Sequence, residues 1–149
     1  MTRDVLISIR GAQMSDGGQE DVELVTTGDY FLKNGKHYII YEEMEESGNQ
    51  MTKNTIKVAE DTIDIIKDGN ISTHMIFQKY KKNISCYVTP FGELTVGIHT
   101  NEVHIEENED TLNIKVGYAL DINDEHVSNC NIAIQVKSRH LDGIDEKKS

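Results

Sequence analysis

A period of two runs through this chain, and it constrains the fold more than any other feature. From Leu112 to Ile122 every even position is apolar and every odd one is polar or small: Leu112, Ile114, Val116, Tyr118, Leu120 and Ile122 against Asn113, Lys115, Gly117, Ala119 and Asp121. Successive side chains of a strand point to opposite faces, so such a run has one buried and one wet face. Cys130, Ile132, Ile134 and Val136 repeat the pattern, as do Ile56 with Val58, Val22 with Leu24, and Tyr30 with Leu32. No helical stripe of comparable strength competes. The chain reads as antiparallel sheet.

Turn chemistry separates the runs at intervals of about 8–16 residues, the rhythm of a sandwich or barrel. Asn34-Gly35 is the strongest signal, because a two-residue type I′ turn needs positive φ at both positions. Ser47-Gly48-Asn49, Asp68-Gly69-Asn70, Lys81-Lys82-Asn83, Asn108-Glu109-Asp110 and Asn123-Asp124-Glu125 are others. About ten strands follow, near 3–11, 20–32, 36–46, 51–59, 62–68, 71–79, 83–89, 93–107, 111–122 and 127–138. Without helical crossovers, consecutive strands pair up and down, and closure into a barrel removes exposed edges. Leu94, Val96 and Ile98 are even whereas Val103 and Ile105 are odd, so one extra residue near Thr100-Asn101 forms a β-bulge. Gly28 and Gly97, inside long strands, mark bends, and the single Pro90 ends a strand. Residues 1–138 form one domain; 139–149 lose alternation and read as a flexible polar tail.

A chain of 149 residues can hold a core unaided. No apolar run is long enough to span a bilayer as a helix, and the opening residues, with an acid and two arginines, do not make a signal peptide. Fifteen basic residues against 26 acidic ones give a net charge of −11. Such a surface repels phosphate backbones and anionic headgroups, so neither nucleic acid nor membrane is an expected partner. The Lys79-Tyr80-Lys81-Lys82 cluster reads as a solvated turn.

Cys86 and Cys130 make no disulfide framework and no C-x-x-C pair. Each shares parity with apolar neighbours, Ile84 and Val88 or Ile132 and Ile134, so both are expected to be small buried hydrophobes in a reducing cytosol. The six histidines fall in no recognised metal spacing. Glu102, His104 and Glu106 share a strand face, but same-face neighbours sit about 6.6–7 Å apart and three cannot easily converge on one ion. No metal or other cofactor is expected. Glu42, Glu43, Glu45 and Glu46 lead into a turn and read as a solvated strand end. No G-x-S-x-G, P-loop, H-E-x-x-H or dinucleotide fingerprint is present, so no enzyme is expected.

Several segments occur together in a telling order: Thr27-Gly28-Asp29-Tyr30, Tyr41-Glu42-Glu43-Met44-Glu45-Glu46-Ser47-Gly48, Thr55-Ile56-Lys57-Val58, Thr89-Pro90-Phe91-Gly92-Glu93-Leu94 and Gly117-Tyr118-Ala119-Leu120. The ordered set resembles the small bacterial family of YwiB-like proteins of unknown function (DUF1934), over nearly the whole chain except the tail. The resemblance implies a calycin (lipocalin-like) β-barrel in a cytoplasmic setting and supplies no catalytic residues. The expected fold is therefore all-β, a single antiparallel up-and-down barrel of calycin type. The expected function is a non-enzymatic module whose lumen accepts a small, partly apolar molecule, lined by Tyr41, Tyr87 and Tyr118 with Arg10 or Lys57 as charge partner. The alternative is a protein-interaction or structural barrel, such as a homodimer, with no small ligand.

Overall fold

The structure, a computed structural model, describes residues 1–15, 18–44, 48, 50–69, 72–90 and 92–139. Among them are ten strands and no helix: β1 Asp4–Ser15, β2 Gly18–Lys33, β3 Lys36–Met44, β4 Met51–Val58, β5 Thr62–Asp68, β6 Thr73–Gln78, β7 Lys82–Thr89, β8 Gly92–Glu107, β9 Thr111–Ile122 and β10 Glu125–Ser138. Every pairing is antiparallel, and the strands lie in the order β6-β5-β4-β3-β2-β1-β10-β9-β8-β7. This is a meander in which the first and last strands also pair, Val5 opposite Ser138 through Met14 opposite Asn129. The result is a nearly closed barrel.

Local chemistry sets the turns. Asn34 and Gly35 take φ of 53° and 76°, and Asn123 and Asp124 take 52° and 69°, so two hairpins use paired positive-φ residues. The expected bulge falls between Thr100 and Glu102, and a second lies between His126 and Ser128. Gly28 stands where β2 leaves β3, whose last mutual pair is Asp29 opposite Ile40. A Cβ at Gly28 would run into the Ile40 carbonyl and lie 2.7 Å from Ile7 Cδ1. The two strands can come this close there only because the side chain is missing.

The inward parity of each strand fills the barrel. Val5, Ile7, Ile39, Ile56, Val58, Ile63, Phe77, Ile98, Leu112, Ile114, Ile134 and Val136 are essentially water-free and belong to one apolar cluster. Burying each contributes about 1.5–3 kcal/mol, so this packing, rather than any turn, holds the fold together.

Two expectations fail here. Consecutive strands do not all pair: β6 and β7 stand at the two ends of the ladder. After the Gln78–Lys81 turn, Tyr80 N donates to the Thr100 carbonyl at 2.8 Å and Thr100 N donates to the Lys81 carbonyl at 3.1 Å. The chain leaving β6 is thus captured by β8, and an unladdered seam remains between β6 and β7. The second failure is β7 itself, whose apolar parity faces out. Ile84 is 61% exposed and Cys86 is exposed, whereas Cys130 is buried as expected. Register explains it: Asn83, Ser85 and Tyr87 stand opposite the inward Ile98, Val96 and Leu94. Glu45, Glu46, Ser47, Asn49, Asn70 and Phe91 lie outside the described residues. So does the expected tail beyond Arg139, whose amide is held by the Asp4 carbonyl at 2.9 Å.

Candidate functional site

Up-and-down connectivity places the β1–β2, β3–β4, β5–β6, β7–β8 and β9–β10 links at one end of the barrel. Toward that end the inner wall turns polar. On β3 and β4, Tyr41 stands opposite Asn54 and Glu43 opposite Thr52. Asn54 is fully buried, and its Nδ2 donates to Glu43 Oε1 at 3.0 Å and, more weakly, to the Thr52 carbonyl at 3.5 Å. Two acceptors on that side fix the amide orientation, which leaves Asn54 Oδ1 buried and without a protein partner. Lys67, on β5, reaches Glu43 Oε1 at 3.6 Å. Burial, with Glu43 adding to it, pushes the Tyr41 phenol up to about 12.

The facing wall is built by β7 to β10. Thr100 stands opposite Tyr118, and Tyr118 opposite Cys130. The Phe77 ring packs 4.9 Å from that of Tyr118, and Ser128 Oγ lies 3.4 Å from Cys130 Sγ. Burial raises the Tyr118 phenol strongly, with Cys130 and then Tyr87 adding to the shift, and burial raises Tyr87 too. Both hydroxyls stay protonated at neutral pH, so they can donate. Thr100 Oγ1 and Asn83 Nδ2 are buried without a protein partner. An unpaired buried polar group costs about 1–3 kcal/mol, and three such atoms, Asn54 Oδ1, Asn83 Nδ2 and Thr100 Oγ1, lie on the interior of different strands.

The seam runs beside this end. Ser85 Oγ and Tyr87 OH both donate to the His74 carbonyl, at 3.2 and 3.4 Å, bridging β6 to β7 where no ladder does. A groove of about 470 Å³ opens beside them, lined among others by Ile66, Lys67, Thr73, His74, Ser85 and Tyr87. His74 Nε2 lies 2.8 Å from Asp64 Oδ2, but the Ser85 proton goes to the His74 carbonyl and not to its ring. The Asp64–His74–Ser85 set is therefore not a nucleophile–base pair. Among the described residues no cluster could hold a metal ion, and Glu102, His104 and Glu106 are exposed.

The five residues singled out from the sequence are divided by the structure. Tyr41 and Tyr118 are buried within the barrel and Tyr87 is half-buried at the seam. Arg10 and Lys57 are on the outer wall, because Ile7 with Ile9 and Ile56 with Val58 take the inward parity of β1 and β4. Arg10 faces Glu23 at 3.7 Å, and the Lys57 ammonium lies 5.9 Å from the Tyr38 ring centroid. Neither can serve as a charge partner in the lumen. Sequence reasoning passed over Asn54 and Thr100, although each sits on an apolar parity, with Ile56 and Val58 or with Val96 and Ile98. Asn83 and Ser85 carried no such signal, since β7 reads the other way round.

Residues 7–134 match the family described as Domain of unknown function (DUF1934). The "Uncharacterized beta-barrel protein YwiB" of Bacillus subtilis (strain 168) is 27% identical over 133 residues, covering 88% of this chain and 92% of that protein. The crystal structure of the ywiB protein from Bacillus subtilis superposes with a TM-score of 0.73 at 26% identity, over 91% of this chain and 93% of that one.

Proposed function

The chain belongs to the DUF1934 family, and from that premise we propose that it is a non-enzymatic module binding a small, partly apolar molecule beside the β6/β7 seam, at the end of its barrel that carries the β3–β4 and β5–β6 links. The reading departs from a ligand deep in the lumen, where Ile7, Ile39, Ile63, Leu112 and Ile114 already fill the space. The single observation that carries it is the inversion of β7, which turns Asn83, Ser85 and Tyr87 inward and leaves Ile84 in water. Conflict between local pattern and global register is characteristic of functional sites. Tyr87, Tyr118 and Ile66 supply the apolar contact; Lys67 and Ser85 supply polar anchors. A calycin-type barrel in a reducing cytosol suits two free cysteines.

Titration with anilinonaphthalene sulfonate, together with a thermal-shift screen of metabolites, tests the reading. Saturable fluorescence that Tyr87→Ala reduces, and melting temperatures that rise with ligand concentration, are expected because binding only the folded state stabilises it. A flat screen and a dye signal indifferent to Tyr87→Ala would refute it.

A second reading, an interaction barrel such as a homodimer, is favoured by one specific observation. From Gly28 back toward its start, β2 has β1 but not β3 as ladder partner, and Val22 and Val25 on that stretch are 69% and 57% exposed. A free edge of this kind invites strand addition. Sedimentation at rising concentration distinguishes the two, since a strict monomer removes the homodimer.

A further inference from the structure

β2 and β8 each have a stretch with a ladder partner on one side only. β8 from Glu102 to Glu107 pairs with β9, while its pairing with β7 stops at His99. That edge carries Glu102, Glu106 and Glu107, and charges of this kind guard an edge against strand addition. β2 from Val22 to Thr27 pairs with β1 and not with β3. It reads Val22-Glu23-Leu24-Val25-Thr26-Thr27, rich in strand formers and with a single acid, which faces Arg10 at 3.7 Å. No lysine or proline blunts this second edge. Space lies beside it: a groove of about 530 Å³ opens between β2 and β3, lined among others by Thr26, Thr27, Glu42 and Met51.

We propose that this edge of β2 takes β2 of a second copy, antiparallel, in a register centred on Leu24. The proposal rests on the homodimer reading and gives it a geometry. A two-fold axis perpendicular to the sheet keeps each face continuous, so residues of like parity stand opposite each other and the centre falls on a residue. Pairing ends at Thr27, because Gly28 already lies against the Ile40 carbonyl. Centred on Glu23, the ladder sets that carboxylate against its own copy, and registers centred on Val22, Asp21 or Glu20 likewise oppose two acids. Centred on Val25, it spans only residues 23–27. Centred on Leu24, it spans residues 21–27 and is the longest register with no acid opposite an acid. The two Leu24 side chains then meet on the inner face, Val22 faces Thr26, and Glu23 faces Val25. Val22 and Val25, 69% and 57% exposed in the single chain, both gain cross-strand neighbours.

Cysteine cross-linking and sedimentation of the full chain, both with Cys86→Ser as background, test it. Directly opposed Cα atoms of an antiparallel pair sit about 4.5–5.5 Å apart, within the reach of a disulfide. Under mild oxidation Leu24→Cys should therefore give a covalent dimer by itself, and Val22→Cys should give one only when mixed with Thr26→Cys. Val25→Glu places a second acid opposite Glu23 in each half of the ladder and should weaken the dimer about tenfold, whereas Val25→Lys should tighten it by a similar factor. The same two exchanges at Ile84, exposed on β7, should do neither. A dimer that Leu24→Cys fails to link, or one that responds alike to charge at Val25 and at Ile84, would overturn the proposal and leave the homodimer reading standing. A monomer at every concentration would remove both.

Discussion

Gly28→Ala separates packing from every other reason a strand might keep a glycine. The added methyl would meet the Ile40 carbonyl, Ile7 Cδ1 at 2.7 Å and Tyr41 Cβ at 3.1 Å. The isoleucine tip can rotate away, but a backbone carbonyl and a Cβ cannot, so β2 and β3 must move apart at the point where their ladder ends. Overpacking of this kind costs typically 1–3 kcal/mol, against a gain of about 0.4–1 kcal/mol from a stiffer unfolded chain. The net expectation is about 1.3 kcal/mol of destabilisation, or roughly 3–5 °C in melting temperature for a domain this size. Urea unfolding should show a midpoint lower by about 0.6 M with the slope unchanged. Gly11→Ala is the internal control: in the adjoining strand, its Cβ would find only the Asn131 carbonyl, 4.0 Å away, and stability should hold or rise slightly. Equal costs at the two positions would refute the steric account of Gly28.

Thr100→Val removes a fully buried hydroxyl that has no protein partner while keeping the side chain's shape. It should stabilise by about 1 kcal/mol in chemical denaturation, whereas a loss of that size would mean the hydroxyl is satisfied in solution. Tyr41 has its phenol raised from 10.0 to about 12. Its contribution is fully present below pH 10 and is lost as pH climbs toward 12, and Tyr41→Phe should flatten that part of the stability profile. The double change Ser85→Ala with Tyr87→Phe strips the His74 carbonyl of both side-chain donors. Amide exchange along β6 and β7 should then accelerate while the global melting temperature moves little; unchanged exchange would show that the seam is held by something else.

Much of the fold was legible because alternation and turn chemistry agree along most of the chain. Thr62–Asp68 and Thr111–Ile122 are strands as read, Asn34-Gly35 turns as its residue types require, and the parity change in β8 is repaired by a bulge at Thr100. What escaped depends on long-range register. Nothing near Arg10 or Lys57 in the chain says which face turns inward except the parity of their neighbours, and that parity places both outside. The capture of Tyr80 and Lys81 by Thr100 joins residues about twenty apart, beyond any local pattern. The polar interior was half visible: Asn54 and Thr100 interrupt apolar parities, and an interruption of that kind in an otherwise regular strand carries more information than the regularity around it.

The inverted strand shows how strongly register can override local preference. A one-residue slip of β7 against β8 would seat Ile84 and Cys86 inside and turn Asn83 and Ser85 out. It would recover about 1.5–3 kcal/mol from Ile84 and relieve the unpaired Asn83 amide, worth a further 1–3 kcal/mol or so. The hydrogen bonds of Thr100 to Tyr80 and Lys81 forbid it by fixing where β7 begins. The slip would also swing Ser85 and Tyr87 away from the His74 carbonyl and so remove the only side-chain bridge described across the seam. The local conflict and the seam bridge are therefore one feature. The register that leaves Ile84 in water is the same register that positions Tyr87 beside the groove, which is why a ligand for this protein should be sought at β7 before anywhere else in the barrel.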